Sequence, residues 1–454
     1  MFFKQFSVDG LACQSYLIGD AGVAVVIDPE RNVDDYLTTA AAQGFHITHI
    51  LETHLHADHV SGNTELAARS GAQIYIHPTA AAAFARPLNG GDELTIGAVK
   101  LRALFTPGHT PDHVCLTVTD TTRSTEPWFM LAGDTLFVGD VGRPDLLGAE
   151  ATRQLANQMY DSLHKQLLPL PDGLEVYPGH GAGSLCGRAM SAKLSTTLGF
   201  ERKFNHALQI AERNEFVQAL TSHQPSQPPN VPFIKQLNRA GPPLLGARVA
   251  HKLSASTVRN LLKQGALLVD TREPEAFGAG HVKGALNVVA SSNQFATRLG
   301  FLAPPHAAVV LVARDAEACV SAMRAASRVG VDDVRGFITA AAAKKLSQEK
   351  LAQWNPVRAL AAQSDAHFML LDVREQSEYE AGHAPAAWLI PLGQLPTRLT
   401  ELPVAQPIAV MCAGGIRSSS AASFLRHKGY AQVVNVSGGF EAWQKAGLPV
   451  ESAD

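Results

Sequence analysis

"THLHADHVSG", Thr53 to Gly62, sets His54, His56, Asp58 and His59 within six residues. The run before it, "ITHILET", reads as a strand that delivers these side chains at its C-terminal end. The run after it, "NTELAARSG", reads as a helix. A strand end followed by a tight turn lets alternate side chains converge on one point. Imidazole nitrogen and carboxylate oxygen are ligands for zinc or iron. More donors follow at strand ends: His109 in "TPGHTPDH", Asp134 in "LAGDTLFVGD" and His180 in "YPGHGAG". Each lies beside a glycine, which permits close backbone approach. One such histidine alone is more often a satisfied core residue. Together the donors point to a metal site.

Around this stretch the chain reads as a run of strands and turns, "SYLIGD" and "GVAVVIDPE", then a helix near "VDDYLTTAAAQG". The 454 residues imply two to four domains. The chain is 46% hydrophobic and 17% charged, enough apolar residue for several cores. A net charge of −3 favours neither nucleic acid nor an anionic membrane as partner. No apolar run is long enough to span a bilayer. The start, "MFFKQFSVDG", is too short an apolar stretch for a signal peptide, so a cytoplasmic protein is expected. Five cysteines, Cys13, Cys115, Cys186, Cys319 and Cys412, lie far apart, which is not a disulfide framework.

The C-terminal half repeats itself. "LLVDTREPEAFGAGHVKGALNV" begins at Leu267 and "LLDVREQSEYEAGHAPAAWLIP" at Leu370. Asp270 matches Asp372 and His281 matches His383, each 102 residues apart. A second apolar strand follows in each copy, "AAVVLVARDAEA" and "PIAVMCAGGIRS", with Ala313 opposite Cys412. Strands alternating with helices predict two α/β modules of about 100 residues, each with a parallel sheet. The proline-rich stretches "TSHQPSQPPNVPF" (Thr221 to Phe233) and "AGPPLLG" (Ala240 to Gly246) read as a linker strapped over a surface, neither strand nor helix. The expected domains are 1–245, 250–345 and 352–454.

"CAGGIRSSSAASF", Cys412 to Phe424, places a lone thiol in a small-residue loop at the end of a buried strand and before a helix. Here the chain resembles known families. HxHxDH, "TPGHT", "GDTLF" and "PGHG", in that order, resemble the metallo-β-lactamase fold over the whole first domain. "GDTLFVGDVGRPDL" (Gly133 to Leu146) looks most like the persulfide dioxygenase branch, close to the glyoxalase II hydrolases. The two modules resemble rhodanese. The implied fold class is α/β: an αββα sandwich with the metal at one edge between the sheets, followed by two rhodanese-like domains.

The resemblance implies a role for each residue. Cys412 would sit in a persulfide cradle of backbone amides from Ala413, Gly414, Gly415 and Ile416. Such a cradle stabilises a thiolate, a persulfide or an oxyanion. Arg417 would add a fixed positive charge at its rim. The middle module has Ala313 in place of the cysteine and would not transfer sulfur. Cys319 falls inside a helix and reads as core. Ala386 replaces the glycine that usually follows His-x-Pro. In the resembled dioxygenases His54, His109 and Asp134 hold one Fe(II) per chain, with His56, Asp58, His59 and His180 around it. The same donors fit the alternative, two Zn per chain in a thioester hydrolase of glyoxalase II type.

The expected reaction takes glutathione or coenzyme A persulfide and O2 to sulfite and thiol, with Cys412 making or using thiosulfate. A third reading is a sulfur carrier with a structural metal. Arg143 is a candidate for the substrate carboxylate, against a salt bridge to Asp140 or Asp145. Cys186, in a glycine-rich loop six residues after His180, is either a structural thiol or a sulfur relay. A homo-oligomer, dimer or tetramer, is expected.

Overall fold

The computed structural model describes residues 1–8, 10–184, 186–187, 190–222, 227–246, 248–363 and 368–452. It divides into two compact units, Met1–Pro225 with Val231–Leu245, and Ser226–Asn230 with Gly246–Asp454.

The first unit holds two six-stranded sheets. One runs β1 (Phe2–Val8), β2 (Cys13–Asp20), β3 (Val23–Ile27), β4 (His46–Leu51), β5 (Gln73–Ile76) and β6 (Arg86–Pro87) in spatial order. The other is built from β7 (Glu93–Ile96), β8 (Val99–Phe105), β9 (Val114–Asp120), β10 (Phe129–Gly133), β11 (Glu175–Pro178) and β12 (Thr196–Thr197). Strand periodicity decides the layers. Tyr16, Ile18, Val25, Ile27 and Leu51 of the first sheet meet Val99, Leu101, Val114, Leu116 and Leu131 of the second in one core. Their alternates Leu17, Ala24, Val26 and Ile50 pack outward with Tyr36, Ala40 and Leu66 of the helices Asp34–Ala42 and Asn63–Ser70. Met130, Ala132 and Val176 likewise meet Ala156 and Met159 of the helix Ala149–Asp161. The result is the expected αββα sandwich.

The proline-rich segment departs from its reading as linker. Thr221 closes the helix Arg213–Thr221, and Val231–Ala240 is a helix; residues 223–226 lie outside the described residues. Proline misleads here because Pro232 falls in the first helical turn, where no intrahelical partner for its missing N–H is lost. Val231, Ile234 and Asn238 form the buried face. Asn238 Nδ2 donates to the carbonyls of His56 (2.9 Å) and His59 (2.8 Å), and its Oδ1 accepts from Ser61 N–H (2.9 Å). This helix clamps the histidine loop. The chain beyond it stays tied down: Thr64 Oγ1 donates to Pro242 O and Leu245 N–H to Glu65.

The second unit contains both repeats. In the first, β13 (Leu267–Asp270) lies between β15 (Leu286–Asn287) and β16 (Val309–Val312), with β17 (Val334–Ile338) outside, all parallel. There β14 (His281–Val282) pairs antiparallel with β18 (Gln348–Glu349). In the second, β19 (Ala352–Trp354), β23 (Val433–Val436), β22 (Ile408–Met411), β20 (Met369–Asp372) and β21 (Trp388–Leu389) form a parallel sheet in that order. Ala386 adopts φ +55°, while Gly284, at the matching place in the first copy, has φ +79°. The turn therefore keeps its left-handed geometry without its glycine, at a cost of about 1 kcal/mol.

Asn238→Ala leaves the Ser61 amide and two loop carbonyls without their partner. It should destabilise the first unit by about 1–3 kcal/mol, read as an earlier unfolding transition in urea, while the second unit's transition stays in place.

Candidate metal centre and sulfur-transfer cradle

Four strand ends converge at one edge of the sandwich. β4 leads into His54, the β8–β9 turn carries His109, β10 ends at Asp134, and β11 ends two residues before His180. His54, His109 and Asp134 bring their ligand atoms within 4.8 Å of one another, all buried. Asp134 Oδ2 lies 3.3 Å from His109 Nε2 and 3.9 Å from His54 Nε2. It is buried and has no hydrogen-bond partner.

The far side of each histidine is already fixed. His109 Nδ1 sits 2.8 Å from the Arg143 carbonyl and so carries the proton. Thr53 Oγ1 donates to Asp28 Oδ2 (2.8 Å) and can therefore accept from His54 Nδ1 (2.9 Å). Both rings thus turn an unprotonated Nε2 toward Asp134. Burial holds both histidines below their ordinary pKa, with His56 reinforcing this at His54. Two neutral imidazoles and an orphaned carboxylate oxygen fit a divalent metal, the ligating nitrogens being fixed from outside by hydrogen bonds.

The other donors are engaged elsewhere. His180 bridges two carboxylates, Nδ1 to Asp134 Oδ1 (2.7 Å) and Nε2 to Asp58 Oδ2 (2.8 Å). Despite burial, Asp134 raises its pKa well above the ordinary value. Both ring nitrogens of His180 are thus engaged by carboxylates. His56 Nε2 lies 3.3 Å from Asp28 Oδ1 and 3.2 Å from Glu52 Oε2, and against burial Asp28 raises its pKa as well. His59 Nδ1 is 3.1 Å from Asp58 Oδ1 and 3.5 Å from the Cys13 thiol. By distance alone, Cys13, Asp58, His59 and His180 make a second group able to hold an ion, and Asp28, Glu52 and His56 a third.

Cys13, Asp28, Glu52 and His113 did not stand out in the sequence. His113 accepts the Asp134 N–H at Nε2 (2.9 Å), and a Cβ on Gly133 would come within 2.5 Å of that nitrogen. Asp28 did carry a signal: like Asp134, it directly follows a buried apolar strand. Cys13 carried none, because only the fold brings it to His59.

Two residues have two readings each, Arg143 and Cys186. Arg143 is buried, and its Nε and Nη2 grip Asp145 at 2.7 and 2.6 Å. Asp145 is two residues away and takes the guanidinium, so a substrate carboxylate would have to displace it. Cys186 belongs with Asp134 and His180 in a fourth ligand group, yet burial pushes its thiol up to about 12.

In the second unit Cys412 follows β22 directly, and its Sγ accepts the Gly415 N–H (3.1 Å) beside Ser418 Oγ (3.4 Å). Gly415 adopts φ +99° to start the helix Ile416–His427. The loop is held from behind, where Phe440 and Glu441 N–H bond the carbonyls of Cys412 and Ala413. Ala413 and Ile416 are half-buried and Gly414 is exposed, so the cradle has an opening. Arg417, the expected fixed positive charge, is paired: its guanidinium meets both Glu378 oxygens at 2.6 and 2.7 Å. In the first repeat, where Ala313 stands in place of the cysteine, Asp315 caps the helix Ala316–Ser327 by accepting the Ala318 N–H (2.8 Å). Cys319 is buried in the helix Ala316–Ser327, as expected for core.

His54→Ala, His109→Ala and Asp134→Ala should each strip the bound metal on dialysis. His56→Ala should keep most of it, since its ring faces Asp28 and Glu52. Metal per chain, measured by plasma mass spectrometry, checks this; equal loss in all four variants would show that His56 is a ligand.

The metallo-β-lactamase superfamily profile matches residues 8–180, and the rhodanese-like domain profile matches 254–337 and 355–446. A solved metallo-β-lactamase structure from Staphylococcus aureus subsp. aureus COL is 32% identical with a TM-score of 0.66, over 75% of this chain and 99% of that one. A hydroxyacylglutathione hydrolase of Polaromonas sp. is 38% identical over 173 residues, which are 37% of this chain and 61% of the hydrolase. This chain thus spans less than two thirds of that relative's length. The hydroxyacylglutathione hydrolase of Nitrosococcus oceani is 31% identical over 229 residues, 49% of this chain and 76% of that one. The chain belongs to the metallo-β-lactamase superfamily, and its metallo-β-lactamase domain is followed by two rhodanese-like domains.

Proposed function

We propose that the first domain is an iron persulfide dioxygenase and that the last is a sulfurtransferase acting on the same sulfur pool. The observation that carries this reading is the three-donor face of His54, His109 and Asp134. His56 is paired with Asp28 and Glu52, and His180 joins Asp134 to Asp58. Two histidines and one carboxylate leave open positions on Fe(II), the arrangement of non-haem oxygenases. When bound there, iron supplies the activation of O2 beside the substrate's terminal sulfur. The overall change is R–SSH with O2 and water to R–SH and sulfurous acid, which ionises to sulfite.

The chain's own residues set the conditions. The Thr53 hydroxyl and the Arg143 carbonyl hold the two imidazoles in the ligating tautomer. His180 holds Asp134 ionised, and Asp58 balances His180 from the other side. Cys412, in its cradle, exchanges sulfane sulfur with thiosulfate or sulfite. Glutathione and coenzyme A persulfides are the expected substrates.

The alternative is a dinuclear zinc thioester hydrolase. The names of the Polaromonas and Nitrosococcus relatives favour it, and so does the second donor group of Asp58, His59 and His180 with Cys13.

Oxygen-electrode traces with glutathione and coenzyme A persulfides separate the two. The expected result is one sulfite formed per O2 consumed in the chain as it stands. Cys412→Ser should keep that uptake, lose thiosulfate-dependent sulfur transfer, and accumulate sulfite. A zinc-loaded protein that hydrolyses S-lactoylglutathione and consumes no O2 would overturn the reading. Loss of both activities in folded Cys412→Ser would mean that Cys412 delivers the dioxygenase substrate.

A further inference from the structure

The helix that starts at the cradle is held from the module that lacks a cysteine. Ile416–His427 is buried from Ser418 to Leu425 although it carries four serines. Two of these serines meet one residue. Ser419 Oγ donates to Asn287 Oδ1 (2.6 Å), and Ser423 Oγ accepts the Asn287 N–H (2.8 Å). Asn287 ends β15 and is fully buried. Its Nδ2 donates to the carbonyls of Asp270 (3.1 Å) and Arg272 (2.8 Å), which anchor the amide in its own module. An amide with its oxygen and its nitrogen both bonded keeps one orientation.

The fold of a single module does not ask for this pair. Asn287 stands in register with Asp270, and in the second copy the residue in register with Asp372 is Leu389. Ser419 lies seven residues after Cys412, and seven residues after Ala313 stands Val320. Both places thus accept an apolar residue. A buried polar group costs free energy unless it is bonded, and Ser419 and Asn287 satisfy each other only across the two modules.

From Ser419 the bonds run on to the thiol. Ser419 N–H donates to the Gly415 carbonyl (3.2 Å), and Gly415 N–H donates to Cys412 Sγ (3.1 Å). Asn435 Nδ2 reaches the same carbonyl at a longer 3.4 Å. Ser418, next to Ser419, has its Oγ 3.4 Å from Sγ. Gly415 holds φ +99°, and a glycine is free to turn. The direction of its N–H is therefore set by what grips the peptide.

We propose that Asn287 is a positioning residue for the Cys412 thiol: through Ser419 it fixes the first turn of the helix Ile416–His427, and with it the Gly415 N–H that stabilises the thiolate. This deepens the sulfurtransferase reading of Cys412 and rests on it. The far end of the helix supplies a control. Arg426 meets Glu349 (2.7 Å), and His427 Nδ1 meets the Gly284 carbonyl (2.8 Å). These contacts join the same two modules, but ten residues or more beyond Ile416.

The test uses the full chain. The reaction followed is attack of the Cys412 thiolate on the outer sulfur of thiosulfate. A new S–S bond forms, the S–S bond of thiosulfate breaks, and sulfite leaves with the electron pair. Cyanide then takes the sulfur from the cysteine persulfide as thiocyanate. Ser419→Ala removes only the hydroxyl. It should lower kcat about 10-fold, the size expected for a weakened hydrogen bond to a charged sulfur. The thiosulfate KM should change little, because the Gly415 N–H is given to Sγ and not to the donor. Asn287→Ala removes the same bond from the other side and should match it, and the double variant should be no slower than the slower single one. Glu349→Gln should keep kcat, whatever it does to the midpoint of urea unfolding. Alkylation by iodoacetamide, a neutral reagent that needs only the thiolate, should slow at Cys412 in the Ser419 and Asn287 variants alone. Full kcat and a full alkylation rate in Ser419→Ala would overturn the inference. So would an equal kcat loss in Glu349→Gln, which would make the junction a matter of stability. Failure of the sulfurtransferase reading looks different: mass spectrometry finds no sulfur on Cys412 of the unaltered chain, while alkylation still slows in Ser419→Ala.

Discussion

A carboxylate buried out of reach of water must be neutralised where it stands, and Asp134 makes that demand at the edge of the sandwich. One of its oxygens is satisfied by His180 and the other has no hydrogen bond at all. The surroundings follow from this. His113 grips its backbone N–H, and a Cβ on Gly179 would come within 2.6 Å of its Oδ1. His54 and His109 face the orphaned oxygen as neutral rings whose outer nitrogens are already bonded. A dication is the group that completes such a set.

In the second unit the buried Cys412 stands just before the helix Ile416–His427. The helix behind Cys412 is covered by the module that lacks a cysteine, through Asn287, Glu349 and Gly284. That module carries Ala313 in place of the cysteine, and Asp315 caps its helix. It retains the rhodanese-like fold and packs against its neighbour's helix.

The fold was legible where the signal is local. The strand endings with histidine or aspartate next to glycine are read within a few residues, and the repeat shows on comparing two short stretches 102 residues apart. What was illegible depends on contacts across the chain. Asn238 lies about 180 residues from the loop it clamps, inside a stretch whose prolines argue against a helix. The partner of Arg417, Glu378, sits 39 residues upstream, in the helix Gln376–Glu380. Arg143 had two acidic neighbours in sequence, and only the fold chose Asp145. Cys13 reads as one of five scattered thiols until β2 is laid beside His180.

The central claim is that three donors, not two overlapping sets, define the metal site. Counting iron and zinc in the full chain, expressed with both metals in excess and purified without oxygen, tests it most directly. The account predicts about one iron per chain and little zinc, as a two-histidine, one-carboxylate face requires. About two zinc ions per chain, lost together on His59→Ala, would contradict it.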